Sequence, residues 1–276
     1  MPEAPEVQTV LSTLEHQISS LEIREVKIFY DKLVSNIDVY SFCEKLKGQT
    51  FRRFYRIGKY LGFEMDTYDW IVHLRMEGKF YLYESLPECK KHIHAIFFLS
   101  DGRYLCYHDT RKFGRMELYP KTENKASLPA FKNVGLDALD DQVTGLYFYH
   151  HIHTKKISLK AALLDQSIMA GVGNIYADEI CYASGLDPRS RCSRITKKEA
   201  ENIVEQTKRI LKGAIKAGGT TIRSYTSSLG VTGRFQLKLK VHAKEGEPCP
   251  TCQKPIIKIK VSQRGTYLCP NCQKRK

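Results

Sequence analysis

CPTCQKPIIKIKVSQRGTYLCPNC, residues 249–272, carries two C-x2-C pairs separated by residues 253–268. Four thiolates at this spacing suit a closed tetrahedral Zn²⁺ site, with Cys249, Cys252, Cys269 and Cys272 as ligands and the ion in a structural role. Proline follows the first cysteine of each pair, a ribbon pattern rather than that of an exchanging disulfide. Between the pairs, PIIKIKV and GTYLC read as strands joined through Ser262, Gln263, Arg264 and Gly265. The metal therefore pins a β-hairpin whose turn carries Arg264. Residues 241–276 hold eight Lys or Arg against two Glu, so the hairpin offers a basic tip suited to phosphate.

The rest of the chain shares that charge. Its 276 residues contain 44 Lys and Arg against 30 Asp and Glu, a net charge of +14. Such a surplus points to a polyanion, of which nucleic acid is the commonest. The length allows two domains and a small third module. No apolar run approaches the ~20 residues of a membrane span. A basic amphipathic helix with an aromatic face is also missing, which disfavours a membrane surface. The N-terminus lacks the pattern of a secretory signal, and nine cysteines then imply a reducing compartment. Cys43, Cys89, Cys106, Cys181 and Cys192 have no ligand spacing and read as packing residues.

Residues 20–120 are strand-like. Leu21, Ile23, Val26 and Ile28 alternate imperfectly with charge. In DWIVHLRMEGKFYLYE, Trp70, Val72, Leu74 and Met76 fall on one face of a strand, with Ile71, His73 and Arg75 on the other. Ser100-Asp101-Gly102 is a hairpin turn. A looser stretch near 121–141 leads to helices expected at 142–151 and 158–168 and one starting at Asn174. A long helix begins at the capping box Thr196–Glu199 and ends at Gly218-Gly219. The segment around 220–236, rich in Ser, Thr and Gly, reads as a loop.

Two short segments have chemical readings. In LLDQSIMAGVGNIYADEI, Gly171 and Gly173 join two helices, with Asn174 expected at the second N-cap, where free N–H groups attract phosphate. At the other end, MPEAPEVQTVL opens an amphipathic helix with Val7, Val10, Leu11 and Leu14 on one face. Were Met1 removed, Pro2 would expose a secondary amine, partly free base near neutral pH and able to form an iminium. Glu6 reads as a structural carboxylate near the helix N-terminus.

Pro2-Glu3, Lys59 in GKY, AGVGNIYADE, GGTT and QRGTYLCPNCQ stand in the order found in the formamidopyrimidine-DNA glycosylase family, which the chain resembles over nearly its whole length. The resemblance implies an α+β multidomain fold. Residues 1–130 would form an N-terminal catalytic β-sandwich flanked by helices. Residues 131–240 would form a helix–two-turns–helix domain with a lesion-capping loop at 220–236, and residues 241–276 a zinc finger. It further implies a bifunctional enzyme that flips oxidised purines (8-oxoguanine and formamidopyrimidines) out of double-stranded DNA, excises them, and nicks the abasic site by β,δ-elimination. A monomer acting on cytoplasmic, nucleoid DNA is the matching expectation.

By the same resemblance Pro2 is the nucleophile, attacking C1′ of the sugar, and Glu3 the proton donor that assists ring opening. Lys59 contacts phosphate beside the damaged nucleotide and assists β-elimination. Arg264 grips phosphate and assists δ-elimination. Base extrusion leaves a hole in the stack that must be filled. Met76, Arg111 and Phe113 match the family's void-filling trio. His73, His92, Lys156 and Asn174 match DNA-contacting positions, and the main chain of Thr221–Tyr225 would hold the everted base. Read alone, Met76 is a core residue and Lys59 a solvated strand lysine.

Some positions depart from the family pattern. Arg75 stands where a small residue usually precedes the wedge methionine, and Glu77 follows it. Thr110 replaces a proline, Lys112 an arginine, and Ile93 a polar residue. The competing readings are a silent DNA-binding protein of the same fold and a zinc-ribbon RNA-binding protein. Pro2, Glu3 and Lys59 speak against the first, and the large β-rich segment against the second.

Overall fold

In a computed structural model the chain is described over residues 1–88, 91–220 and 235–276. Cys89 and the Thr221–Tyr225 segment lie outside the described residues. The chain divides into two compact units, residues 1–132 with 218–233, and 133–217 with 234–276.

The first unit starts with α1 (Ala4–Ile18), which buries Val7, Val10, Leu11, Leu14 and Ile18 and so obeys the expected face. Two antiparallel four-stranded sheets follow. One has strand order β1 (Ile23–Ile28), β6 (Ile93–Leu99), β7 (Tyr104–His108), β5 (Lys79–Tyr83). The other runs β2 (Arg53–Ile57), β3 (Tyr60–Glu64), β4 (Tyr68–His73), β8 (Arg115–Pro120). The imperfect alternation of β1 has a cause: its pairing with β6 shifts between Ile23 and Glu25, a bulge that breaks the two-residue period. Ser100-Asp101-Gly102 does turn between β6 and β7, with Gly102 at φ 90°.

Aromatic rings fill the core. Trp70 is fully buried, 4.8 Å from Phe63 and 4.5 Å from Phe97 between ring centres. The sequence hid α2 (Val39–Leu46), whose signal is the Asp38 carboxylate accepting the Ser41 N–H at 2.8 Å. One strand expectation fails. β4 stops at His73, and Arg75 has φ 55°, so the apolar alternation through Leu74 and Met76 crosses a turn.

In the second unit, α3 (Gly145–Ile152) and α4 (Leu159–Leu164) are capped by Thr144 and Ser158. α4 ends earlier than expected because Asp165 turns back to accept the Ser167 N–H and hydroxyl. α5 (Asn174–Ala183) has Gly173, not Asn174, at its N-cap; Asn174 is the first helical residue. The capping box Thr196–Glu199 opens α6 (Lys197–Lys216) as expected. The hairpin is β9 (Ile257–Val261) and β10 (Arg264–Leu268), joined by Ser262-Gln263 alone. Arg264 thus starts a strand, paired with Val261, instead of lying in the turn.

Replacing Phe63 by Ala should cost roughly 3–5 kcal/mol in urea unfolding, because it opens a cavity beneath Trp70. Phe29→Ala, at a side chain 46% exposed, should stay within about 0.5 kcal/mol.

Candidate functional site

In the first unit the N-terminus is fastened by carboxylates. Glu3 is the N-cap of α1 in a reciprocal box: its side chain takes the Glu6 N–H while Glu6 Oε2 accepts the Glu3 N–H at 2.9 Å. Glu6 Oε1 also accepts the Thr220 N–H at 2.8 Å and its hydroxyl at 3.0 Å. Gly219, at φ 78°, lies so close that an added Cβ would come within 3.0 Å of Glu6 Oε1. Gly219 is therefore favoured by both backbone and space, and Gly218, at φ 76°, by its backbone. Pro2, Glu3 and Glu6 are buried, whereas Met1 is 48% exposed. The expected structural role of Glu6 acquires a definite content: it ties the start of α1 to the root of the 220–236 segment.

Lys59 follows Gly58 in the two-residue turn between β2 and β3, and its side chain is buried. The solvated-strand reading is overturned: Lys59 is neither in a strand nor solvated. Burial, with the charges of Arg75 and Lys59, holds His73 far below the usual imidazole range, at about 3. His73 is therefore neutral at physiological pH. Its Nδ1 accepts the Arg75 N–H at 3.0 Å, which leaves the proton on Nε2.

Met76 is half-buried and outside the core, so the core reading is also corrected. With Met1, Arg75, Phe113 and Arg115 it lines a recess of about 380 Å³. Arg111 stacks over Phe113 at 4.8 Å. The loop that carries both is wound around Asp109, a buried residue that sequence reading missed. Asp109 Oδ1 accepts the Arg111 N–H at 2.9 Å, and Oδ2 accepts those of Phe113 at 2.9 Å and Gly114 at 2.8 Å. Its carbonyl meets His94 Nε2 at 2.7 Å, and its N–H donates to the His92 carbonyl. The available signal was an aspartate followed within five residues by a glycine, the composition of a turn wound on a carboxylate. Gly114 has no alternative, since a Cβ there would fall 1.7 Å from the Tyr107 hydroxyl. His92 itself sits at φ 67°.

In the second unit Lys156 is exposed beyond α3. Asn174 Nδ2 donates to the Gly265 carbonyl at 3.1 Å, which places Asn174 beside the hairpin tip. Arg264 is exposed, and no carboxylate among the described residues pairs with it. The sulfurs of Cys249, Cys252, Cys269 and Cys272 all lie within 4.8 Å of one another. A tetrahedral ion with Zn–S near 2.3 Å needs sulfurs ~3.8 Å apart. The observed 3.8 Å for Cys249–Cys272 and 3.4 Å for Cys252–Cys269 fit one zinc ion. Cys43, Cys106, Cys181 and Cys192 are free, and all but Cys43 are buried.

Comparison with known proteins agrees with this geometry. Residues 1–116 match the formamidopyrimidine-DNA glycosylase N-terminal domain, residues 134–226 its H2TH domain, and residues 246–275 the zinc finger found in FPG and IleRS. The formamidopyrimidine-DNA glycosylase of Oceanobacillus iheyensis is 42% identical over 97% of this chain and 96% of its own length. That of Listeria monocytogenes is 40% identical, with 97% of both chains covered. Among solved structures, a Lactococcus lactis FPG variant in complex with Fapy-dG-containing DNA superposes with a TM-score of 0.92 at 35% identity, covering 99% of this chain and 100% of that one. A complex of the Lactococcus lactis protein with abasic-site DNA gives 0.91, also at 35% identity and with the same coverage. The chain belongs to the formamidopyrimidine-DNA glycosylase family.

Proposed function

We propose that this protein is a DNA repair enzyme that excises oxidised purines from duplex DNA and cuts the strand at the resulting abasic site. The observation that carries the reading is the buried Pro2-Glu3 start of α1 in a chain of this family. A protein that only bound DNA could use Glu3 as the helix cap but would have no use for an amine at Pro2.

With Met1 removed, the Pro2 amine attacks C1′ as the damaged base departs, so an N–C1′ bond replaces the glycosidic bond. Glu3 supplies the proton that lets the sugar ring open. The iminium acidifies the C2′ protons, and the two phosphates leave in turn by β- and δ-elimination. Lys59 assists the first elimination and Arg264 the second. Retained, Met1 would leave the Pro2 nitrogen an amide with no lone pair to give.

Met76 and Phe113 act as wedges and Arg111 meets the orphaned cytosine; Asp109 fixes the loop that presents the latter two. Lys156, Asn174, His92 and His73 hold the backbone, with His73 donating a neutral hydrogen bond. The zinc ion neutralises and orients four thiolates, and so braces the hairpin that carries Arg264. The catalytic domain takes residues 1–130, the helix–two-turns–helix domain residues 131–240 and the zinc finger residues 241–276. No described helix is long and apolar enough to cross a membrane. We place the enzyme with DNA in the cytoplasm.

Borohydride reduction on a duplex with 8-oxoguanine opposite cytosine should trap a covalent adduct that maps to Pro2, and intact mass should show Met1 gone. An adduct on a lysine would move the nucleophile, and tight binding with no adduct would leave a silent binder. Asp109→Ala should lower kcat/KM roughly 10- to 100-fold, because the wedge loop loses its winding centre. Binding titrated against salt should separate the phosphate contacts. Lys156→Ala or Arg264→Ala should reduce the slope of log K against log salt by about 0.9, whereas His73→Gln, which removes no charge, should leave it unchanged.

A further inference from the structure

A buried charge cluster in the second unit is not used by the chemistry above. Lys160 on α4 and Asp178 on α5 are both fully buried, and Lys160 Nζ spends its three protons on three acceptors. They are Asp178 Oδ1 at 2.7 Å, the Gly265 carbonyl at 3.1 Å and Thr266 Oγ1 at 2.7 Å. Asp178 Oδ2 accepts from His242 Nδ1 at 2.7 Å and from the Tyr267 N–H at 3.2 Å. The Gly265 carbonyl takes a second bond from Asn174.

The direction of these bonds matters. Because the ammonium occupies a lone pair of the Thr266 oxygen, the hydroxyl proton is free to point elsewhere, and it donates to the Arg264 carbonyl at 3.0 Å. The hairpin also needs outside support. Its turn residues Ser262 and Gln263 have φ 49° and 61°, the left-handed region that glycine or asparagine normally supplies. A turn strained in this way persists when its surroundings over-determine it.

We propose that Lys160 is a positioning residue for Arg264. Held by Asp178, it clamps Gly265 and Thr266 and, through the Thr266 hydroxyl, the backbone of Arg264. The guanidinium then springs from a point fixed on α4 and α5 rather than on the hairpin alone. This inference rests on the phosphate-gripping role of Arg264 given above.

The test uses the zinc-loaded, full-length protein and a duplex containing a stable abasic analogue. Lys160→Met should raise the dissociation constant about 10-fold or more while keeping one zinc per chain. In an Arg264→Ala background it should add less than twofold, the signature of two residues acting as one. Full additivity would overturn the proposal. Hydrogen exchange of peptides covering 262–268 should quicken about tenfold in Lys160→Met, and unchanged exchange would also overturn it. If Arg264→Ala alone binds like the parent while exchange still quickens, the clamp stands and the role of Arg264 falls. Thr266→Val removes the hydroxyl without stranding a charge. It decides the matter if Lys160→Met fails to fold: weaker binding that vanishes in the Arg264→Ala background supports the relay, and unchanged binding refutes it.

Discussion

Everything near the proposed nucleophile depends on how the first turn of α1 satisfies its free N–H groups. A helix start normally borrows a hydroxyl or a short carboxylate. Here two buried glutamates do it reciprocally, and Glu6 extends the arrangement to Thr220, more than two hundred residues away. One set of hydrogen bonds thereby fixes the backbone of Glu3, the residue next to Pro2, and the root of the segment that follows Gly219. Burying two carboxylates is costly unless each oxygen finds donors. The constraint explains why the approach to Glu6 is made by glycine, since a Cβ on Gly219 would crowd Glu6 Oε1 at 3.0 Å.

The metal hairpin was the most legible part of the sequence, since ligand spacing is a direct statement about geometry. The face of α1, the box at Thr196 and the β6–β7 turn were legible for a similar reason: each is set by residues within a few positions of one another. What stayed hidden depends on partners distant in the chain. Lys59 reads as a solvated lysine until β2 and β3 pair and fold its turn inward. Met76 reads as core because it continues an apolar alternation, and only the left-handed backbone of Arg75 shows that the strand has already ended. Asp109 carries only the weak signal of an aspartate five residues before a glycine, because its importance lies in the three amides wound around it.

The departures at Arg75 and Lys112 gain meaning from the same backbone. A small residue suits a left-handed position, and Arg75 occupies one at φ 55°. Its N–H holds His73 Nδ1, and its charge helps keep that imidazole neutral. Lys112, at φ 58°, reaches over the ring of Tyr30 at 5.2 Å. From left-handed backbone positions, Arg75 thus sets a charge beside His73 and Lys112 sets a cation over the Tyr30 ring.

Strain is also distributed unevenly. Of the described non-glycine residues with positive φ, Arg75, His92, Lys112 and Gln263 each coincide with or directly adjoin a position proposed to meet DNA, and Ser262 lies two residues from Arg264. Single left-handed residues cost on the order of 1–2 kcal/mol apiece, so they endure where neighbouring bonds leave no other choice. Asp109 provides those bonds for the loop of Lys112, and Lys160 with Asn174 provides them beside the turn of Ser262 and Gln263. A buried carboxylate in one unit and a buried ammonium in the other thus solve one problem. Each holds a short segment rigid, so that Arg111 and Arg264, the arginines we propose to meet DNA, would do so from a backbone whose conformational entropy is already spent.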